Sequence, residues 1–251
     1  MMYAAVTYSR PRHRHLPQRR PINHNLEQQA QALYKSWFVD FEPFKDGSFV
    51  NSELGLIPEG WSVKELGEVT VECKSKADTL SDIKVLSPIY TGRLVLSEEY
   101  FTKQVFSESI SKYILVAPYS FAYNPARVNI GSIGMNEYDF YGCVSPVYIV
   151  FKCQDQYHFF FDFFRRTKRF KDEVVARSIG GVRQTLSYGD FSLIKLVYPP
   201  VTIVENFNTI YQALRTDIMA NDIQNKKLSK TRDIILPRLM SGELKINELD
   251  C

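Results

Sequence analysis

Apolar side chains recur at helical spacing along the last part of the chain. Within residues 201–236 the steps between them are four, three and four, and two more continue the series after a polar gap, which is typical of a heptad seam. They are Phe207, Tyr211, Leu214, Ile218, Leu228 and Ile235. Asn221 and Asn225 fill the gap, either as a device that sets helix register or as water-facing side chains. Because proline disrupts helix interiors, Pro237 is predicted to end this helix, about 54 Å long.

A helix this long with so narrow an apolar stripe is typical of one that packs on a partner helix. The alternative is an ordinary amphipathic helix that lies across its own domain. A second apolar stripe runs through residues 26–41 and predicts a shorter helix, with Asn25 as its N-cap and Pro43 after its end. We expect the two helices to pack antiparallel, with Leu33 and Trp37 of the shorter helix contributing to the seam.

The middle of the chain alternates in the manner of strands. β-Branched and aromatic residues mark five strand segments, which are residues 83–89, 113–117, 120–124, 144–151 and 193–198. One predicted helix interrupts them at residues 156–177, aromatic in its first half and basic in its second. Residues 42–60 are predicted to form a loop punctuated by glycine and proline, and residues 61–68 a short helix or strand.

These patterns predict the fold class α+β: one mixed α/β globular domain plus a long C-terminal helix that packs on a shorter N-terminal helix. The globular domain is assigned to residues 57–200, the short helix to residues 22–42, and the long helix with its tail to residues 201–247. Residues 1–21 contain five arginines and no acidic residue, so this segment is predicted to be disordered. It is either a non-specific nucleic-acid-binding tail or an extension without a role.

Composition narrows the functional classes. The net charge is only +3, so a nucleic-acid surface would have to be a local patch. The cysteines are Cys73, Cys143, Cys153 and Cys251. None of their spacings is C-x-x-C, so neither a zinc ribbon nor a redox dithiol is indicated. Their scattered positions are typical of a protein in a reducing cytoplasm. No apolar run is long enough for a membrane span, and the N-terminus has no apolar core of a signal peptide, so we expect a cytoplasmic protein.

Motifs of common enzymes are missing. The sequence has no P-loop, no H-E-x-x-H and no G-x-S-x-G. Residues 124–127 (NPAR) resemble the Asn-Pro-Pro-aromatic motif of amino-methyltransferases, but they lack its second proline and its aromatic residue. His158 lies among phenylalanines, far in sequence from the other histidines. We therefore expect a chain that is not an enzyme and has no catalytic, cofactor-binding or metal-binding residues.

Basic and amide side chains gather in the predicted turns of the middle domain, which favours DNA binding. The candidates are Lys74, Lys76, Arg93, Asn124, Arg127, Asn129, Arg177, Ser178, Arg183 and Gln184. Arginine pairs with guanine, and asparagine or glutamine with adenine, so Arg127, Arg183 and Gln184 are assigned to base readout. Phosphate contacts are assigned to Lys74, Lys76 and Arg177. The alternative is that these are solvated loop charges.

Four segments, in order along the chain, resemble conserved segments of the specificity subunits of type I restriction-modification systems. Residues 33–44 (LYKSWFVDFEPF) are similar to the end of their central conserved region, and residues 57–61 (IPEGW) to the start of a target recognition domain. Residues 180–186 (GGVRQTL) are similar to the end of that domain, and residues 236–244 (LPRLMSGEL) to the conserved C-terminal segment.

The resemblance implies a non-catalytic subunit that reads double-stranded DNA. Its conserved helices would hold recognition domains apart and dock modification subunits, which carry S-adenosylmethionine and methylate adenine. A restriction subunit would complete the nuclease. No cofactor is expected on the chain itself.

This chain departs from the family pattern because it has one recognition domain, whereas the family has two. It is therefore similar to the C-terminal half of a specificity subunit, and two alternatives follow. It is a truncated product without activity alone, or two copies form a homodimer that recognises an interrupted palindrome. A different class of function also stays open: a protein-interaction module or a recombination donor that does not bind DNA.

Overall fold

The computed structural model describes residues 20–78, 83–101, 110–178 and 185–243. The described residues divide into two compact units, one made of residues 20–32 and 210–243, and the other of the described residues between 33 and 209. Most of the predicted basic tail, residues 1–19, lies outside the described residues.

Seven helices and twelve strands make up the described chain. The helices are α1 (Arg20–Phe38), α2 (Leu66–Val69), α3 (Ser97–Tyr100), α4 (His158–Phe164), α5 (Lys168–Arg177), α6 (Tyr188–Ser192) and α7 (Val201–Met240). The strands are β1 (Phe49–Ser52), β2 (Gly55–Pro58), β3 (Ser62–Glu65), β4 (Thr70–Cys73), β5 (Lys84–Pro88), β6 (Leu94–Leu96), β7 (Ile114–Val116), β8 (Phe121–Tyr123), β9 (Ile133–Met135), β10 (Gly142–Val144), β11 (Ile149–Cys153) and β12 (Lys195–Tyr198). Short 3-10 turns lie at Glu42–Phe44 and Val128–Ile130. The predicted class, α+β with a long C-terminal helix, is confirmed.

Two four-stranded sheets form the centre of the larger unit. One has the order β6-β5-β10-β7, in which β5 and β10 are parallel, and the other has the antiparallel order β4-β11-β8-β9. Side chains from both sheets share one buried core, namely Leu86, Leu94, Val116, Ala122, Val144 and Val150. Two short antiparallel pairs, β1 with β2 and β3 with β12, complete the strand pairing.

Aromatic side chains join α4 to the second sheet. The ring of Phe161 lies edge-on to Phe121 and Phe151, with centroid distances of 4.9 and 5.4 Å. Phe191 of α6 also contacts Phe151, at 4.8 Å. Edge-to-face contacts of this kind add about 0.5–1.5 kcal/mol each beyond burial of the rings. The aromatic run of α4 therefore forms part of the core. It lies between strand β11 and helix α5 in the sequence.

Aromatic side chains also join the end of α1 to the start of α7 within the larger unit. Phe207 is fully buried, and its ring lies 6.0, 6.4 and 5.2 Å from those of Tyr34, Trp37 and Phe38. Leu33 is half-buried beside them in sequence. The predicted seam residue Phe207 is thus enclosed by the last turns of the shorter helix.

Amide side chains join the same two helices within the smaller unit. Asn23 Nδ2 donates to Asp222 Oδ1 at 2.8 Å, and Asn221 Nδ2 donates to Asn23 Oδ1 at 2.9 Å. Asn221, which interrupts the apolar seam, therefore bonds to the partner helix and does not simply face water. The start of α1 meets the middle of α7 while its end meets the first turns of α7, so the helices are antiparallel, as predicted.

The bounds of the two helices differ from the prediction. α1 begins at Arg20, before the predicted N-cap Asn25, and ends at Phe38 because Phe41 takes a left-handed conformation with φ 55°. α7 continues one turn past Pro237. Proline removes a single backbone donor, and the carbonyl that this leaves unbonded lies on an exposed stretch of helix where water can reach it.

Three other predictions are wrong in detail. The predicted helix at residues 156–177 is two helices, because Thr167 Oγ1 donates to the Phe164 carbonyl at 2.7 Å and accepts from Phe170 N at 3.2 Å, which caps both ends. The predicted strand at residues 144–151 divides at a turn and supplies one strand to each sheet. The predicted loop at residues 42–60 contains the β1–β2 hairpin.

Replacement of Phe207 by alanine should lower the free energy of unfolding by about 3–5 kcal/mol, because it leaves a cavity among four aromatic rings, including that of Phe163. Asn206→Ala, at the exposed neighbouring position, is the matched control and should change it by less than about 0.5 kcal/mol. Chemical denaturation followed by tryptophan fluorescence measures both. Equal small effects would contradict the packing assigned to Phe207.

Candidate nucleic-acid interface

Two turns that are distant in sequence form one surface at an edge of the larger unit. The turn after β5 and the loop after β8 touch at Tyr90 and Gly131, where a Cβ added to the glycine would lie 2.5 Å from the Tyr90 carbonyl oxygen. Ser132 Oγ donates to the Pro88 carbonyl at 2.8 Å beside this contact. Since Gly131 also has φ 97°, glycine is required here for both space and conformation.

The loop after β8 is closed by its own backbone. Arg127 N donates to the Asn124 carbonyl at 2.9 Å, and Ser132 N donates to the Arg127 carbonyl at 3.1 Å. The Asn124 side chain accepts from Ala126 N at 3.0 Å, so its carbonyl oxygen holds the loop. The side chains of Arg127 and Asn129 are exposed on the outside of this loop.

Arg93 lies in the turn on the other side of the contact. Its carbonyl accepts from Ile89 N at 2.9 Å, which closes the turn, and its side chain is exposed. Four of the predicted DNA-binding residues, Arg93, Asn124, Arg127 and Asn129, are therefore brought together by the fold. Three of them present side chains to solvent, whereas Asn124 is half-buried and positions the loop.

A buried ion cluster at the end of α4 fastens the first turn. Arg165 Nε donates to Asp162 Oδ1 at 2.9 Å, and Arg165 Nη2 donates to the Gly92 carbonyl at 2.8 Å. Arg166 pairs with the second carboxylate oxygen of Asp162. The Asp162 and Arg165 side chains are only 1% and 5% exposed. The Asp162 carboxylate thus positions the Arg165 guanidinium, which in turn bonds to the turn at Gly92.

The ionisation of Asp162 follows from these partners. Burial by itself would raise its pKa, but the charges of Arg165 and Arg166 and their hydrogen bonds outweigh burial and hold the pKa below its ordinary value. The carboxylate is therefore charged at neutral pH. Its interaction with the two guanidinium groups stabilises the fold above the ordinary carboxyl pKa.

Four other predicted DNA-binding residues, Lys74, Lys76, Arg177 and Ser178, are described outside these two turns. Lys74 pairs with Glu72 at 2.7 Å, and Lys76 is exposed in a segment that bridges to Ile114 of β7. Arg177 pairs with Glu173 at 3.0 Å. The buried Ser178 hydroxyl donates to the Val174 carbonyl at 2.6 Å, so it serves the end of α5. Arg183 and Gln184, assigned to base readout, lie outside the described residues.

Sequence reasoning missed several residues of this surface. Tyr90 is 67% exposed in the first turn, and Arg166 and Lys171 lie behind it. The spacing of Asp162 from Arg165 and Arg166, three and four residues, was the available signal, because it places all three on one helix face. The contact of that face with the turn at Gly92, 73 residues away in sequence, had no local signal.

Within the described part of the chain, no group of three or more His, Cys, Asp or Glu side chains is arranged to hold a metal ion. Among the described helices, none is both long and apolar enough to cross a membrane.

Removal of the Asp162 charge should be costly. Asp162→Asn should lower the free energy of unfolding by about 3–5 kcal/mol, because Arg165 would stay buried without a counter-charge. Asp172→Asn breaks an exposed pair with Lys168 and is the matched control, expected to cost less than about 1 kcal/mol. Urea denaturation at neutral pH measures both, and similar values for the two variants would refute the role of the cluster.

Acid should remove the same stabilisation. Because the folded pKa of Asp162 is lowered, its contribution is complete above the unfolded pKa of about 3.9 and is lost as the pH falls through the folded value. The stability of Asp162→Asn should therefore fall less steeply than that of the wild type below about pH 4. Urea midpoints measured from pH 6 to pH 2 test this. Parallel curves would show that another group carries the acid sensitivity.

Two known proteins are similar in sequence to most of this chain. No family model matches the chain. It is 28% identical to the MjaIX type I restriction enzyme specificity subunit of Methanocaldococcus jannaschii, over 90% of this chain and 55% of that protein. It is 24% identical to the HindI type I restriction enzyme specificity subunit of Haemophilus influenzae, over 89% of this chain and 62% of that protein. The chain thus spans little more than half the length of these relatives.

Solved structures also align with the chain. The HsdS subunit from Thermoanaerobacter tengcongensis matches with a TM-score of 0.44 and 13% identity, over 90% of this chain and 53% of that one. A chain from a type I R-M system matches with a TM-score of 0.44 and 15% identity, over 90% and 54%. Along most of its length, this chain is similar in sequence to the specificity subunits of type I restriction enzymes.

Proposed function

We propose that this chain recognises a DNA sequence as a specificity subunit, or half of one, in a type I restriction-modification complex. The relatives named above support this role, as does the order of the four conserved segments. The chain directs catalysis by other subunits and has no cofactor or active site of its own. Its recognition domain corresponds to residues 57–200, and the helices to residues 22–42 and 201–247.

The surface at Tyr90 and Gly131 is the observation that carries the proposal. Exposed Arg93, Arg127 and Asn129 stand on two turns that approach closely at Tyr90 and Gly131 and are joined by the bond from the Ser132 hydroxyl to the Pro88 carbonyl. Arginine and asparagine make bidentate contacts to guanine and adenine in the major groove, and such contacts need a rigid support. The low net charge of +3 fits a protein that binds DNA through a local patch. Lys74, Lys76, Arg177, Ser178, Arg183 and Gln184 stay proposed contributors.

The exposed part of α7 supports a second set of partners. Exposed apolar side chains continue beyond the contact of Asn221 with α1; they are Ile223, Leu228, Ile234, Leu236 and Met240. At about 1.5 Å per residue, the 40-residue helix is about 60 Å long, which suits a spacer. We propose that modification subunits or a second copy of the chain pack here, and that a restriction subunit joins the full complex. A homodimer would read an interrupted palindrome.

Arg127→Ala should weaken binding to the cognate duplex by about 1–3 kcal/mol and relax the preference at one base position. The cognate site is first identified by methylome sequencing of cells that express the chain with its modification subunit. Affinities for duplexes substituted at each position are then measured by fluorescence anisotropy. Arg169→Ala, an exposed arginine of α5 away from the two turns, is the matched control and should leave the preference unchanged.

Two outcomes would count against this function. Unchanged affinity and preference in Arg127→Ala would remove Arg127 from base readout. A complex with the modification subunit that selects no sequence from a random duplex library would favour the protein-interaction module that does not bind DNA.

The exposed apolar side chains of α7 should govern association. Leu228→Glu should abolish or weaken self-association and capture of the modification subunit by tenfold or more, since it places a charge among apolar side chains (about 1.4 kcal/mol per tenfold). Lys226→Glu places the same side chain at an exposed position two residues from Leu228, on the opposite side of α7, and should have little effect. Light scattering and pull-down measure both. A monomer that captures no modification subunit would refute the proposed partners.

A further inference from the structure

A cavity of about 340 Å³ lies directly behind the two turns of the proposed interface. The Tyr90–Gly92 turn and the 128–131 turn form one wall, and α5 with the end of α4 forms the other. Arg165 of the ion cluster and Gly92 both line the cavity, and the bond between them joins its two walls. The cavity is large enough for more than one small ion, since small-molecule sites begin near about 300 Å³.

Positive charge dominates one side of this cavity. Arg165, Arg166 and Lys171 line it, and no acidic side chain does so within the described chain. The carboxylate of Asp162 is buried behind the arginines, and Glu137 acts on Arg165 from nearby. No ion pair to Lys171 is found among the described residues, so its ammonium group extends the positive side towards solvent.

The other side of the cavity is apolar with a few polar groups. Val128, Phe170 and Val174 are buried and present hydrocarbon to the space. The Thr91 hydroxyl and the Asn129 amide stand at its rim. A ligand that fits must therefore combine an anionic group with an apolar or weakly polar body. A phosphate joined to a deoxyribose has this character, because the sugar presents a hydrocarbon face beside the charge.

We propose that this cavity binds one phosphodiester group of the DNA backbone together with its deoxyribose. Arg166 and Lys171 are the cationic ligands of the phosphate, and the sugar lies against Val128 and Phe170. This inference rests on the proposed DNA-recognition function, because the same two turns carry Arg93, Arg127 and Asn129. Bound here, the backbone would fix the register in which those side chains meet base edges.

The test is the salt dependence of DNA binding by the full chain with its modification subunit. A fluorescein-labelled duplex of random sequence is the probe, titrated at several salt concentrations. Lys171→Gln should lower the slope of log K against log salt by about 0.9, which is roughly a tenfold loss at 0.1 M salt. Lys168→Gln removes an equal charge from the same helix outside the cavity, and its slope should match the wild type.

Arg166→Gln should reproduce the effect of Lys171→Gln, while thermal unfolding of each variant shows that the fold is intact. If the wild type binds the duplex and both cavity variants keep its slope, the cavity does not hold a phosphate and the proposed function stands. If Lys168→Gln changes the slope as much as Lys171→Gln, the effect is one of general charge and this proposal fails. If the wild type binds no duplex with or without the modification subunit, the DNA-recognition function itself is wrong.

Inorganic phosphate supplies a readout that does not depend on DNA recognition. At equal ionic strength, millimolar phosphate in place of chloride should raise the unfolding temperature of the wild type more than that of Lys171→Gln, because a ligand of the folded state stabilises it. Equal shifts in the two proteins would contradict an anion site in this cavity.

Discussion

The candidate interface depends on one buried carboxylate. Asp162 neutralises Arg165, and only a neutralised guanidinium can stay 5% exposed and still donate to the Gly92 carbonyl. That bond fixes the turn that carries Arg93. The same turn also limits the space at Gly131, because the Tyr90 carbonyl packs against the loop that carries Arg127. A charge inside the domain thus determines how side chains on its surface are presented.

Rigid support of this kind suits a surface that distinguishes bases. Bidentate contacts tolerate little displacement, and side chains on a loop without support would lose that geometry. In this chain the loops are short, closed by their own backbone and pressed against each other. The cavity behind them adds a place where backbone charge can be held. Base readout and backbone positioning would then share the same two turns, in agreement with the division of roles seen in protein–DNA contacts.

The helices carry the association that we propose. Aromatic rings of α1 pack around Phe207 in the first part of α7. Farther along α7, Asn23 of α1 bonds to Asn221. Beyond these, several apolar side chains of α7 are exposed, and the proposed partners would cover them. Asn221 marks the boundary, and its bond to Asn23 admits one register of the pair because a shift would leave both amides unbonded.

Local pattern determined the two long helices, about half of the twelve strands and the α+β class, because periodicity of 3.6 or 2 is written into neighbouring residues. It misplaced the end of α7 and missed the break at Thr167, since a single lost donor or a single cap depends on its surroundings. Four segments of the sequence indicated the resemblance to specificity subunits without any structure. Only the tertiary structure decided which basic residues share a surface. Gly92 with Arg165, and Tyr90 with Gly131, meet across dozens of residues through contacts that no local spacing records.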